Sequence, residues 1–299
     1  MTTEQGSGAR DLGAQDLADR FEAERPRLRS VAYRMLGSLS EAEDAVQEAW
    51  LRADRAGTDD VENLSAWLTT VVARVCLNLL RSRTTRREDP LDTLDAGVAG
   101  PEEEVLLADE VGVALLVVLD TLSPAERVAF VLHDTFAVPF DEIAPLLDRS
   151  PAAVRQLASR ARRRVKGAHP DPSPDLTRRH RMVEAFLTAT RGGDFQALLT
   201  LLAPDVILHA DAAVIPTPHP VTLSGARQVA ESAMAAMSRA RLTGPALIDG
   251  TPALVMSVHG RLSLVLTFTF TEDDSAITGI GVVAEREELA GMEISVLPE

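Results

Sequence analysis

The sequence predicts a multidomain protein with two all-α domains, the second containing a helix-turn-helix, followed by a C-terminal α+β domain. Three observations predict this fold class. Apolar residues recur at helical spacing through most of the first 166 residues. Prolines at alternate positions in 170–174 then disallow helix and favour an extended connector. Beyond them, helical segments precede three β-rich segments at hairpin spacing, which is typical of an α+β domain.

The first all-α domain is predicted at residues 14–88, after a polar leader at 1–13 that we expect to be disordered. The apolar pattern first predicts a helix that ends at Gly37. A second helix is predicted to start at Ser40, an N-cap with a glutamate three residues later. A polar loop follows, and a long amphipathic helix with a basic far end then occupies 65–87.

The second all-α domain is predicted at 109–168, after an acidic, aperiodic linker at 89–108. This linker is interpreted either as a soluble spacer or as a mask for basic surfaces. The strongest helix start in the domain is Ser123, because Pro124 follows it and Glu126 lies three residues later, as in a capping box.

A helix-turn-helix is predicted at the end of this domain. A short helix starts near Phe140, a turn occupies 148–150, and a longer helix starts at Pro151. Asp148 stands where such turns often have glycine, and aspartate tolerates the left-handed conformation better than most residues. The longer helix has one apolar and one basic face, so it is interpreted as a DNA-reading helix, the alternative being a merely solvated surface.

Composition limits the function classes. The net charge of −15 at pH 7 argues against general nucleic-acid binding, but arginines cluster at 74–87 and 149–166, where the local field differs in sign from the total. Cys76 is the only cysteine, which excludes an intrachain disulfide and a thiolate zinc site, and we expect it to be buried. With no signal peptide and no apolar run judged long enough to cross a bilayer, the prediction is a cytoplasmic protein without cofactor, metal or membrane contact.

Three segments carry a family resemblance. AEDAVQEAWLRA at 42–53, AWLTTVVARVCLNLLRSR at 66–83 and the helix-turn-helix block at 123–166 resemble regions two and four of the extracytoplasmic-function class of bacterial RNA polymerase sigma factors. The resemblance implies that the chain binds core RNA polymerase, at the clamp helices of the largest subunit and the flap of the second-largest subunit. It also implies transcription initiation at promoter DNA.

The resemblance assigns three groups of residues. The clamp helices would be contacted by Asp44, Gln47 and Glu48. The melted minus-ten element would meet the loop at 52–65 and the adjoining helix, through Arg55, Asn63, Ser65, Trp67, Arg74, Asn78 and Arg81. The minus-thirty-five element would be approached by Arg155, Gln156, Ser159, Arg160, Arg162, Arg163 and Lys166. Asn78 stands where many relatives have aspartate, so no specific base contact is assigned to it.

A proline-rich connector is predicted at 169–175 and the α+β domain, with an antiparallel sheet, at 176–299. The run FLTATRGGDFQALLTLLAPDVILHAD at 186–211 resembles the start of SnoaL-like domains, the cone-shaped fold of small polyketide cyclases and ketosteroid isomerases. In sigma factors that carry such a domain, the resemblance implies that it regulates activity in cis, in place of a separate membrane anti-sigma protein.

A pocket inside the cone would take a small-molecule ligand, and its candidate residues are His209, Asp211, His259 and Arg261. Catalysis would need Asp211 as a desolvated base, and spacing identifies no second acid–base partner, so we expect no enzyme. The domain is otherwise interpreted as facing protein alone. Two other readings of the whole chain stay open: a SnoaL-like enzyme fused to a DNA-binding module, and a dimeric helix-turn-helix repressor, which would not need the block at 42–83.

Overall fold

The computed structural model describes residues 5–56, 61–86, 111–167, 173–214 and 219–296, with the backbone alone for 5–16 and 84–86. The predicted linker at 89–108 and most of the connector at 169–175 lie outside the described residues. The chain divides into two compact units, the first from Met1–Asp89 with Leu122–Ala161 and the second from Pro90–Thr121 with Arg162–Glu299. The predicted fold class is confirmed: helical domains precede a C-terminal α+β sheet domain.

Three long helices begin the first unit: α1 (Gln5–Leu36), α2 (Leu39–Ala56) and α3 (Leu64–Arg86). Each packs on the other two. The apolar residues that predicted the first helix, among them Phe21, Leu28 and Met35, are buried in their common core. Gly37 ends α1 with φ of 77°, a left-handed conformation that glycine adopts without a Cβ clash.

The helix boundaries differ from the prediction at three places. α2 begins at Leu39, so Ser40 lies inside the helix and is not its N-cap. α1 already begins at Gln5, so helix occupies most of the segment predicted as a disordered leader. Such a polar extension has no apolar stripe by which the sequence pattern would show it. α2 continues to Ala56, which places Arg55 in a helix and not in the predicted loop.

The prediction that no apolar run is long enough to cross a bilayer was too strict. Leu64–Arg83 in α3, 20 residues long, is apolar enough to pass for a membrane span by length and composition. Half of this segment is buried inside the unit, where Leu68 and Val72 are fully covered, and its exposed side carries Arg74. Because a core helix passes the same test, we interpret α3 as the central helix of the first unit.

The first unit continues after α4 (Val113–Asp120), which belongs to the second unit and is described there. It contains α5 (Pro124–Phe130), a π-helical turn (Val131–Thr135), α6 (Phe140–Leu147) and most of α7 (Pro151–Lys166). The predicted capping box is confirmed, with Ser123 Oγ accepting from the Glu126 N–H and the Glu126 carboxylate accepting from the Ser123 N–H. Asp148 has φ of 54° and ψ of 52°, so the turn is left-handed there as predicted.

A buried arginine joins α5 to the end of α1. Arg127 is 3% exposed, and its Nη1 donates to the carbonyl oxygen of Met35 at 2.7 Å. Arg27 and Arg34, both on α1, place their guanidinium groups 5.9 and 5.4 Å from the ring centre of Phe136. Cationic side chains therefore link the segment that contains α5 and Phe136 to the three-helix part.

The second unit is built on one seven-stranded sheet in the order β2-β1-β6-β5-β4-β3-β7. Its elements are α4, α8 (Pro174–Gly192), α9 (Phe195–Leu201), β1 (Leu202–Ala210), β2 (Val221–Ser224), α10 (Ala226–Ala235), α11 (Met237–Ala240), β3 (Thr243–Ile248), β4 (Thr251–Val258), β5 (Arg261–Phe270), β6 (Ile277–Val283), α12 (Arg286–Gly291) and β7 (Ile294–Ser295). The sheet is mixed, because β1 and β6 pair in parallel whereas the other pairs are antiparallel. The prediction of a purely antiparallel sheet was wrong at this pair, since spacing along the chain shows only the hairpins.

The two faces of this sheet bury different partners. Side chains on the inner face, such as Leu254 and Met256, form the core with α8 and α10. On the outer face, α4 packs against β3, β4, β5 and β7, and residues such as Val255 are fully covered. The approach is close at Gly244, where a methyl group would lie 2.8 Å from Cβ of Val113. α4 thus completes the hydrophobic layer of the C-terminal sheet.

The chain's last described strand also meets the end of α7. β7 pairs with β3 at the edge of the sheet, and the next residue, Val296, donates its N–H to the carbonyl oxygen of Val165 at 2.9 Å. Carbonyl groups in the last turn of a helix lack partners within the helix, so this bond satisfies one of them. The last turn of α7, from Arg162 onward, accordingly belongs to the second unit.

Candidate nucleic-acid interface

An acidic and amide surface lies on α2. Asp44 and Gln47 are exposed, and Glu48 is half-exposed, with its carboxylate accepting from Arg52 Nε at 2.9 Å. The neighbouring Glu43 is engaged differently, because it pairs with arginines of α1. The three predicted residues therefore lie together on the part of α2 that faces away from the core.

Asn63 and Ser65 have local structural roles. The Oδ1 of Asn63 accepts from the Ala66 N–H at 3.1 Å, as an N-cap of α3. The Ser65 hydroxyl accepts from Arg27 Nη1 at 2.6 Å and donates to Glu24 at 2.7 Å, which ties α3 to α1. These contacts engage the Asn63 amide oxygen and the Ser65 hydroxyl within the unit, an arrangement that position in a polar segment did not indicate.

The exposed side of α3 keeps the other predicted residues together. Arg74, Asn78 and Arg81 are exposed at steps of four and three residues, so they form one row along the helix. Trp67 is half-buried near the start of the same helix, and exposed Arg55 lies in the last turn of α2. A row of cationic and amide groups on one rigid helix can track a nucleic-acid backbone.

The second basic surface is the exposed face of α7. Five of its predicted residues are exposed without an ion pair among those described: Arg155, Gln156, Ser159, Arg163 and Lys166. Arg160 differs, since its Nε lies 3.2 Å from the Glu126 carboxylate, and Arg162 is half-buried. The guanidinium of Arg155 lies 5.3 Å from the ring centre of Phe140 in the preceding helix, which holds it at the start of α7.

Sequence comparisons match the two parts of the chain that carry these surfaces to known families. The family described as Sigma-70 region 2 matches residues 20–86, and Sigma-70, region 4 matches 112–165. The probable ECF RNA polymerase sigma factor SigI of Mycobacterium tuberculosis is 35% identical over 277 residues, covering 90% of this chain and 93% of SigI. The chain belongs to the extracytoplasmic-function sigma factors.

Two further comparisons concern a second M. tuberculosis protein. The ECF RNA polymerase sigma factor SigJ of M. tuberculosis is 46% identical over 206 residues, and the match spans 64% of this sigma factor and 64% of SigJ, just under two thirds of either. The crystal structure of M. tuberculosis SigJ is similar with 32% identity and a TM-score of 0.43, covering 92% of this chain and 98% of that one.

The C-terminal domain of this sigma factor contains a cavity, but not where the sequence predicted it. The cavity, about 120 Å³ in volume, lies between the inner face of the sheet and the helices α8, α10 and α11. None of the four predicted pocket residues, His209, Asp211, His259 and Arg261, is among the residues that line it. Strand alternation places His209 and Asp211 on the same face of the strand, but it does not show which face of the sheet points into the domain.

Each of these four side chains has another place. His209 is on the outer face of β1, where its Nδ1 lies 3.0 Å from the Thr222 hydroxyl. His259 is exposed in the β4–β5 hairpin with φ of 50°, and Arg261 starts β5. Asp211 follows β1, and its carboxylate accepts four backbone N–H bonds of 2.6–3.0 Å, from Ala213, Val214, Ala284 and Glu285.

Proposed function

We propose that this chain binds core RNA polymerase, directs it to a two-part promoter and helps to melt it, and that its C-terminal domain regulates this activity in cis. Sigma factors of this family act in promoter recognition and transcription initiation. The observation that carries the cis-regulatory part is the position of α4. This helix lies inside the region 4 match yet packs on the C-terminal sheet.

Polymerase contact is proposed for the acidic surface of α2. Asp44, Gln47 and Glu48 would meet the clamp helices of the largest subunit, and region four would meet the flap of the second-largest subunit. The proposal is supported by the exposure of all three side chains on a helix whose other face is fully packed. Charged rim residues of this kind steer association more than they add affinity.

The minus-ten element is proposed to bind along α3. Arg74, Asn78 and Arg81 supply the exposed row, with Trp67 and Arg55 beside it. Asn63 and Ser65 support this surface indirectly, because their side chains hold the start of α3. Single-stranded DNA needs a basic groove and a stacking surface, which a tryptophan next to arginines provides.

The minus-thirty-five element is proposed to bind α7. Arg155 and Gln156 stand in the first turns of the helix, where a major-groove reader contacts base edges. Arg163 and Lys166, farther along the exposed side, suit phosphates, which position the protein without specifying sequence. Arg160 has its Nε directed to Glu126, and we assign it a secondary role in DNA contact.

We propose no catalytic role for the C-terminal domain. A general base needs a carboxylate with a free lone pair facing a pocket, and Asp211 instead accepts backbone N–H groups that hold the chain after β1 to the chain after β6. These bonds support a structural role for Asp211, and they argue against the hypothesis that this chain is an enzyme fused to a DNA-binding module. The region 2 match likewise disfavours a repressor that binds DNA alone.

Regulation in cis is supported at both ends of region four. α4 ends three residues before α5, the helix that leads towards the helix-turn-helix, and it is held on the outer face of the sheet near Gly244. At the other end, Val296 is bonded to the last turn of the DNA-reading helix. The C-terminal sheet thus holds the first helix of the region 4 match and the last turn of its last helix, and cis regulation would act through these two connections.

The test is promoter-dependent transcription by bacterial core RNA polymerase with the full chain, on promoters selected from a library. Gly244→Ala places a methyl group against Val113, and Val296→Pro removes the N–H that Val165 accepts. Their matched controls are Gly192→Ala, where a methyl group meets open space, and Val296→Ala. Cis regulation predicts that Gly244→Ala and Val296→Pro change transcript yield severalfold in either direction, whereas the controls stay at the wild-type level.

Two results would overturn the proposal separately. If no protein supports initiation on any selected promoter, the sigma activity is wrong for this chain. If the wild type initiates and both test variants match their controls, the sigma activity stands and the cis-regulatory role of the C-terminal domain is wrong. Circular dichroism of each variant tests whether the sheet is still folded.

A further inference from the structure

The cavity in the C-terminal domain has the size and lining of a binding site for a small apolar molecule. Its volume of about 120 Å³ is close to the ~150 Å³ of an engineered apolar cavity that stays dry and binds benzene. The walls are formed by α8, the sheet, α10 and α11. The apolar lining residues include Phe186, Leu208, Leu254 and Ile280. Interiors are normally packed to near crystal density, so an apolar space of this size is unusual without an occupant.

The polar groups at this cavity differ in their availability. Thr190 donates its hydroxyl proton to the Phe186 carbonyl at 2.8 Å, and Thr243 donates to the Arg239 carbonyl at 3.0 Å. Among the residues that line the cavity, Arg239 is the one charged side chain. The hydrogen bond described for its guanidinium is a long one, from Nη1 to the Val214 carbonyl at 3.4 Å. A guanidinium has five N–H donors, so most of its capacity is left for a ligand.

We infer that the cavity binds a molecule about the size of one aromatic ring that carries a single acidic group. The ring fills the space under the sheet, and the carboxylate accepts hydrogen bonds from the Arg239 guanidinium. A carboxylate held away from water is costly unless it is paired, and arginine pairs with it through two parallel N–H bonds. Because Arg239 is half-buried, it reaches solvent as well as the apolar wall.

The same strand connects this cavity to region four. Leu254 and Met256 of β4 line the cavity, and Val255 between them points to the outer face. Val255 is the register partner of Gly244, where an added methyl group would lie 2.8 Å from Cβ of Val113 in α4. A ligand that shifts β4 would therefore move the surface of the sheet on which α4 packs. This regulatory consequence rests on the proposed function, whereas ligand binding itself does not.

The experiment measures binding of fluorobenzene and para-fluorobenzoate to the full chain by fluorine NMR, without polymerase. The wild type is expected to bind both, and to bind the benzoate at least about tenfold more tightly, as a charge-assisted hydrogen bond allows. Arg239→Gln is expected to abolish that preference and leave fluorobenzene binding within about twofold of the wild type. Ala233→Met fills the cavity and is expected to abolish binding of both, whereas Ala235→Met, exposed on the same helix, is the matched control.

Several outcomes would overturn the inference. Binding of neither fluorinated molecule by the wild type rules out the site, and equal binding by wild type and Ala233→Met shows that the molecules bind elsewhere. Equal affinity for the two molecules would show that an acidic group on the ligand does not contribute to binding. If Ala233→Met does not fold, Ala236→Met at the half-buried rim serves in its place. None of these readouts depends on transcription, so failure here leaves the sigma activity untouched.

Discussion

Replacing Arg127 by methionine tests whether the buried arginine fastens the helix-turn-helix segment to the three-helix part of the first unit. Arg127 is 3% exposed and donates to the Met35 carbonyl at 2.7 Å. A hydrogen bond from a charged donor contributes about 1.5–3 kcal/mol, and methionine retains the apolar stem but leaves the carbonyl without this donor. The expected loss is about 2 kcal/mol of unfolding free energy, a factor of roughly 30 in the folded-to-unfolded ratio.

The sequence supplies a selective readout for this measurement. The chain has two tryptophans, Trp50 and Trp67, and both lie in the first unit. Tryptophan fluorescence during a urea titration therefore reports the unfolding of the first unit and is silent to the C-terminal sheet. The denaturant midpoint and slope then give the free energy by linear extrapolation.

The matched control for Arg127→Met is Arg74→Met, because Arg74 is an exposed arginine on α3 of the same unit. Exposed substitutions of this kind usually change stability by less than about 0.5 kcal/mol. If the two variants have the same midpoint, Arg127 does not fasten the segment, and the reasoning from its burial and short bond is refuted.

Two further predictions use the same protein. Asp148→Gly is expected to raise the stability of the first unit by about 0.5 kcal/mol and Asp148→Ala to lower it, since the turn needs φ of 54°; a lower urea midpoint for the glycine variant would contradict this. Burial raises the pKa of the Cys76 thiol to about 12, so Cys76 should react with a disulfide reagent at mildly alkaline pH only after unfolding. Because the folded pKa lies above the unfolded one, the unfolding free energy of the wild type should fall as pH rises from about 9 towards 12, and a Cys76→Ala variant that falls equally would disprove the assignment.

Features with a local cause were predictable from the sequence. The cap at Ser123, the left-handed turn at Asp148 and the buried stripe of α1 follow from a few neighbouring residues. Features that depend on distant partners were not. Arg127 and Met35 are separated by 92 positions, and nothing near either residue indicates their bond.

The site followed the same division. Helical periodicity explains most of the exposed residues on α2 and α7, but Arg162, which was predicted on the exposed face of α7, is half-buried. Ser65 and Asp211 form hydrogen bonds with segments 41 and 73 positions away, and composition alone does not show these bonds. The parallel pair of β1 and β6 escaped prediction for the same reason, since it joins strands that are far apart in the chain.

The packing of α4 on the outer face of the C-terminal sheet limits where such chains can be divided or recombined. A fragment starting at Ser173 would leave the outer face around Val255 bare, and such an apolar sheet face is prone to aggregation. A chimaera that moves the C-terminal domain to another sigma factor needs Val113–Asp120 to travel with it, or a host helix whose side chains spare the space above Gly244. The unit of exchange thus starts at α4, before the helix-turn-helix, and not at the proline-rich connector.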